Sequence, residues 1–156
     1  YIGQSDNIDR VIIRDEISDK EKSLGSVVNR AGIEHYGLFQ NAGYRGLYNM
    51  NMHEIKKYKG LKQGDKLLDF MGKTELAANL FRITQTEEKI KNESIYGQKN
   101  LEYAAESVGA EVRKTITKIQ GTQPEFLPAE EDIKKVKNAL KGARKQFQKI
   151  DNKKKK

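Results

Sequence analysis

Residues 72–89, GKTELAANLFRITQTEEK, set the tightest limit on what this chain can fold into. A third of the sequence is charged, yet from Leu76 to Thr86 the only charge is Arg82. Leu76, Leu80, Ile83 and Ile90 fall on one side of a helix, and Ala77 and Phe81 widen that side. The resulting apolar arc covers roughly half the circumference, against the ~100° of an ordinary surface helix. The segment therefore reads as a helix with neighbours on two sides. Its other stripe is Glu75, Asn79, Arg82, Thr86 and Lys89, with Gln85 beside it. Asn, Arg and Gln are the side chains that pair with base edges. Two readings follow: a central core helix with a polar edge, or a reading helix that turns Asn79, Arg82 and Gln85 outward. Glu75, Glu87 and Glu88 would repel phosphates, which favours the core.

The remaining pattern is helical too. There are two prolines, and β-branched alternation is scarce. Helical spacing predicts a helix over residues 7–30, weakened at Ser18 and Gly25 and stopped at Gly32. The tyrosine-rich stretch IEHYGLFQNAGYRGLYNM holds three glycines, which oppose a long helix. It is read as a short helix over 34–41, then a compact turn. Asn51 with Glu54 marks the start of a short helix over 51–58. Asp65 is placed to cap another over 66–71, and Thr74 to cap the helix over 75–91. A long helix follows over 98–119, closed by Gly121. TQPEFLP is an extended connector. A last amphipathic helix is expected over 130–150, and a disordered lysine tail over 151–156.

The expected fold is all-α: two long helices, residues 7–30 and 98–119, packed around several short ones, with a basic amphipathic C-terminal helix. The division is a body over 1–128, that helix over 129–150, and the tail. Core candidates are Leu24, Val28, Leu38, Phe39, Leu47, Ile55, Leu67, Leu68, Leu76, Leu80, Ile83, Leu101, Val108, Val112 and Ile116. Phe39 and Tyr48 are expected inside; Tyr44 and Arg45 either stack on unpaired bases and grip a phosphate, or pack against the long helices with Arg45 pairing a carboxylate.

Charge is unevenly placed. Residues 130–156 hold 11 basic and 4 acidic side chains, whereas 1–129 hold 19 and 18. A basic end of this kind suits nucleic acid or another polyanion, with Lys134, Lys137, Lys141, Arg144 and Lys145 as candidate contacts. A solubilising tail is the alternative. The stripe of Ile133, Val136, Leu140, Ala143, Phe147 and Ile150 either packs on the body or forms a homodimer seam.

Chemistry is not visible. No cysteine is present, which removes disulfides, thiolate catalysis and zinc–cysteine sites and fits a reducing cytoplasm. His35 and His53 form no ligand pair, and no hydrolase or P-loop motif occurs. Asp65 and Asp69 could hold Mg²⁺ but read better as a solvated helix face. No catalytic residue, cofactor or metal is expected, and the chain does not read as an enzyme. The longest apolar run is VII, so no membrane span is expected. One geometric unit remains: a helix, a glycine-bearing turn and a second helix over 65–90, the outline of a helix-turn-helix.

The segments GLFQNAGYRGLYNM, IKKYKGLK, KLLDFMGKTELAANLFRITQTEEKI and VRKTITKIQGTQPEFLP resemble, in order, the C-terminal half of the bacterial DNA-damage-inducible protein D family. The resemblance covers about residues 24–128. Members usually begin with a Bro-type N-terminal domain, which this sequence lacks; Tyr1–Ile2 looks like the join. The resemblance implies a non-enzymatic SOS-response module that modulates recombination or repair. Its implied partners are a RecA-type recombinase filament or single-stranded or duplex DNA. The alternative is a phage antirepressor-like transcriptional regulator that reads duplex DNA with the unit over 65–90. The resemblance brings no assigned functional residues.

Overall fold

The computed structural model describes residues 2–154. Tyr1, half of the expected join, and the last two lysines of the expected tail lie outside the described residues. Six helices run in order: α1 (Ile2–Arg30), α2 (Tyr36–Tyr48), α3 (Met52–Tyr58), α4 (Lys73–Asn92), α5 (Gln98–Gln120) and α6 (Ile133–Lys154). Single 3₁₀ turns sit at Leu67–Phe70 and Pro124–Phe126, and no strand occurs among the described residues. The all-α expectation holds.

α4 is the centre of the body. α1 packs along one side of it, α5 along another, and α2 lies against α5. This arrangement is why α4 shows so broad a buried surface: Leu76, Ile83 and Ile90 are buried, and Leu80 is partly so. Ile17, Leu24 and Val28 of α1, Phe39, Leu47 and Tyr48 of α2, and Leu101, Ala105 and Val112 of α5 complete the core. Burying an aliphatic side chain of this kind contributes about 1.5–3 kcal/mol.

Several local expectations change. α1 is unbroken at Ser18, whose hydroxyl donates to the Arg14 carbonyl and accepts from the Arg14 guanidinium. α2 is one continuous helix through Gly43 and Gly46, not a short helix and a turn. Gly46 lets the α5 backbone approach and Gly43 makes room for the Arg82 guanidinium; neither bends the chain. The first element of the supposed helix-turn-helix is a single 3₁₀ turn, too short to cross a DNA backbone. Gly72, not Thr74, occupies the N-cap of α4. Leu38 is exposed, because α2 turns its Phe39 side inward. α6 continues through residues 151–154, where a disordered tail was expected. Lysines in a last turn suit the negative end of the helix dipole.

Other expectations stand. Gly32 and Gly121 end α1 and α5 with positive φ of 84° and 72°. The Glu54 carboxylate accepts the Asn51 amide at 3.1 Å at the start of α3.

Candidate functional site

The structure divides the candidate residues between three places. Tyr44, Asn79 and Arg82 meet inside the body. Arg45 lies between α2 and α5, and Gln85 in the groove between α4 and α5. The lysines and Arg144 stand on α6.

The interior group is a hydrogen-bonded network. α2 supplies Tyr44 and Tyr48 one turn apart, and α4 supplies Glu75, Asn79 and Arg82 along one stripe. The Arg82 guanidinium donates to the Asn79 carbonyl oxygen from Nε at 3.3 Å and Nη2 at 2.9 Å. It also lies 4.7 Å over the Tyr44 ring, a cation–π contact. The Asn79 amide donates to the Tyr48 hydroxyl at 3.1 Å and to the Glu75 carbonyl at 3.0 Å. Tyr48 donates to the Glu75 carboxylate. Lys59, at the end of α3, completes the chain of contacts, donating to Glu75 Oε1 at 3.1 Å and to the Leu127 carbonyl at 2.6 Å.

These groups are out of water. Asn79 is 0% exposed, Tyr44 2% and Arg82 5%. Burial pushes the Tyr44 hydroxyl up to about 12. It pushes the Tyr48 hydroxyl up as well, with the Glu75 charge adding to it. Burial also raises the Glu75 carboxyl above its usual range, against Lys59 and Tyr48, which hold it down.

The outward reading of Asn79 and Arg82 is thus corrected, and so is the base-stacking reading of Tyr44. The polar stripe of α4 is an internal hydrogen-bonding face. Its outer face is Ala77, Phe81, Gln85 and Glu88. Alanine at Asn79 or Arg82 should cost about 1–3 kcal/mol by leaving buried partners unsatisfied. Alanine at Gln85 should stay within about 0.5 kcal/mol. Urea denaturation of the three variants checks this; three equal small losses would contradict the buried network.

Arg45 is half-exposed and pairs with Glu106 of α5 through Nε and Nη2, each at 3.2 Å. That hydrogen bonding raises the Arg45 pKa above its ordinary value. It is a bridge between α2 and α5, as the carboxylate-pairing alternative supposed. Asp69 is buried and accepts from Arg14 Nε at 2.9 Å, while Asp65 accepts the Lys62 amide. Among the described residues, no three His, Cys, Asp or Glu side chains cluster so as to hold a metal ion. Nor is any helix there long and apolar enough to cross a membrane.

α6 is a different environment. Its root is fixed: Ile133 and Val136 are buried, and Lys137 pairs with Asp15 at 2.8 Å. Ahead of the root, Arg10 donates to the carbonyls of Met71, Asp69 and Glu131, which ties α1, the first 3₁₀ turn and the approach to α6 together. Burial lowers the Arg10 pKa, and Glu130, Glu131, Asp132 and Asp69 oppose that shift. Beyond Lys137 every described residue of α6 is exposed. Lys141, Arg144 and Lys145 therefore stand in solvent, and Lys134, within the root, is exposed as well.

Sequence reasoning missed Lys59 and Glu75 as network members, and Arg10 as the tie ahead of α6. Arg10 left a signal, since it sits seven residues before Ile17, in the phase of the buried side of α1. Lys59 left none, being 16 residues from its partner on another element.

A family model for the DinD C-terminal domain matches residues 4–136. The DNA damage-inducible protein D of Escherichia coli (strain K12) is 42% identical over 137 residues, which is 85% of this chain and 50% of that protein. The chain thus spans about half the length of the curated relative it matches.

Proposed function

Because the chain belongs to the DinD C-terminal domain family, we propose that it is a non-enzymatic module of the DNA-damage response. In this reading it modulates recombination or repair by binding DNA or a recombinase filament through α6. The observation that carries it is the display of charge. The basic excess of the chain is gathered on one helix, and that helix stands clear of the body from Asn138 onward. Lysine and arginine on an exposed helix give phosphate contacts that are tolerant of sequence and sensitive to salt. The E. coli relative carries DNA damage in its name, and that association supports the cellular setting. The regulator reading has no comparable support, since the stripe of α4 that would read bases is buried.

The test is a titration of this chain with single-stranded DNA, random duplex and a recombinase filament at several salt concentrations. Replacing Lys134, Lys141, Arg144 and Lys145 by glutamine should weaken binding uniformly across sequences. Each lost phosphate contact should reduce the salt slope by about 0.7 on single strands. Failure to bind all three targets would end this reading. A duplex preference of ~10³-fold or more would restore the regulator.

A further inference from the structure

α6 has a second face that polyanion binding does not use. Leu140, Phe147 and Ile150 are 40%, 70% and 49% exposed and continue the stripe that Ile133 and Val136 begin. The described residues of the body bury none of the three. On another side of the molecule, an open groove of about 610 Å³ runs between α4 and α5. Phe81, Tyr103 and Val108 provide its apolar surface, and Glu88, Glu93 and Glu111 stand along it with Lys89, which pairs with Glu93 at 2.7 Å. Phe81 is 55% exposed and Tyr103 75% exposed, an unusual display for aromatic side chains on neighbouring helices.

We propose that this groove receives the α6 helix of a second copy of the chain, so that copies join head to tail. The chemistry of the two surfaces matches. An amphipathic helix binds a groove by placing apolar anchors at helical spacing into it. Leu140, Phe147 and Ile150 stand seven and three residues apart, which puts them on one face. Lysines flank those anchors, and the charged lining of the groove, Glu88, Glu93, Glu111 and Lys89, is acidic on balance. The charges disfavour a seam between two α6 helices, since that contact would set lysine against lysine along its length. The root of α6 is already bound to α1 and the first 3₁₀ turn through Ile133, Val136 and the Lys137–Asp15 pair. Its free half is thus presented outward, away from the contacts that hold its root. A contact between unlike surfaces does not close at two copies unless the rotation forms a ring. Growth with concentration is therefore expected.

The experiment uses the whole chain without DNA, so its outcome is independent of polyanion binding. Sedimentation of the wild type at low salt should show mass rising with concentration, and added salt should reduce it. Phe147→Glu on the helix and Tyr103→Lys in the groove should each lower the association constant by about tenfold or more. Both sites are exposed, and circular dichroism checks that the fold is kept. Mixing the two variants is the decisive step. Each retains the surface the other has lost, so the mixture should form a one-to-one dimer and stop there. A wild type that stays monomeric at high concentration overturns the proposal. So does a mixture that forms no dimer, or a Phe147→Glu defect that Tyr103→Lys does not share.

Discussion

Lys59→Met should destabilise the protein by about 3–5 kcal/mol, the cost of leaving a buried charge without its partner. The Lys59 side chain is 3% exposed and that of Glu75 2%. Methionine keeps most of the apolar stem and removes the ammonium. The Glu75 carboxylate then keeps only Tyr48, and the Leu127 carbonyl loses its donor. The site also joins three separate pieces of chain: the end of α3, the start of α4 and the connector after α5. Loss of the ammonium should therefore loosen the connector that leads into α6. Chemical denaturation measures the cost. A loss under about 0.5 kcal/mol would show that the pair contributes little.

The same variant carries a pH signature. Burial holds the Glu75 carboxyl above its usual range in the folded protein, despite Lys59. A carboxyl raised on folding favours the fold fully below the unfolded value. That contribution is lost as pH rises through the folded value. Without Lys59 the folded value moves higher still, and the loss extends further toward neutrality. The deficit of Lys59→Met should thus be small near pH 4 and grow by at most about 1.4 kcal/mol per pH unit. A deficit that shrinks as pH rises would contradict the sign.

α1, α5 and α6 were legible because their apolar residues repeat at helical spacing, and glycine stops mark the ends of α1 and α5. α4 was legible as a central helix but not as to which polar groups it buries. Hydropathy treats Asn79 and Arg82 as outward residues. They are interior because Tyr44 and Tyr48, more than thirty residues earlier, come to meet them. Pattern alone does not pair such distant residues. Phe81 failed in the opposite direction: it widens the apolar arc of α4 yet remains half out in the α4–α5 groove. The basic C-terminal helix was legible from charge, while the clearance of its outer half from the body was not. Its apolar stripe was compatible with docking along its whole length.

Gly46→Ala and Gly109→Ala should each cost about 3 kcal/mol or more, at or beyond the upper end of ordinary overpacking. In a lone helix the change would be favourable by about 1 kcal/mol. Here α2 and α5 cross with backbone against backbone. A Cβ on Gly109 would come 2.8 Å from the Gly43 carbonyl oxygen and 2.8 Å from the Leu47 amide nitrogen. One on Gly46 would meet the Glu106 carbonyl and lie 3.0 Å from the Ala110 amide nitrogen. A flexible side chain could swing aside; main-chain atoms inside two helices cannot move without parting the helices. Separation would also loosen Arg113, which donates to the Leu47 carbonyl at 3.1 Å and pairs with Glu125. Gly142→Ala is the internal control. Nothing lies within 4 Å of its Cβ position on α6, so this change should raise helicity without cost. Urea midpoints compare the three. The Gly46–Gly109 double variant should lose less than the sum, because helices already parted by one methyl accommodate the second more easily. Neutral single variants would mean that α2 and α5 do not meet this closely, and the glycines in α2 would again count as evidence for a turn.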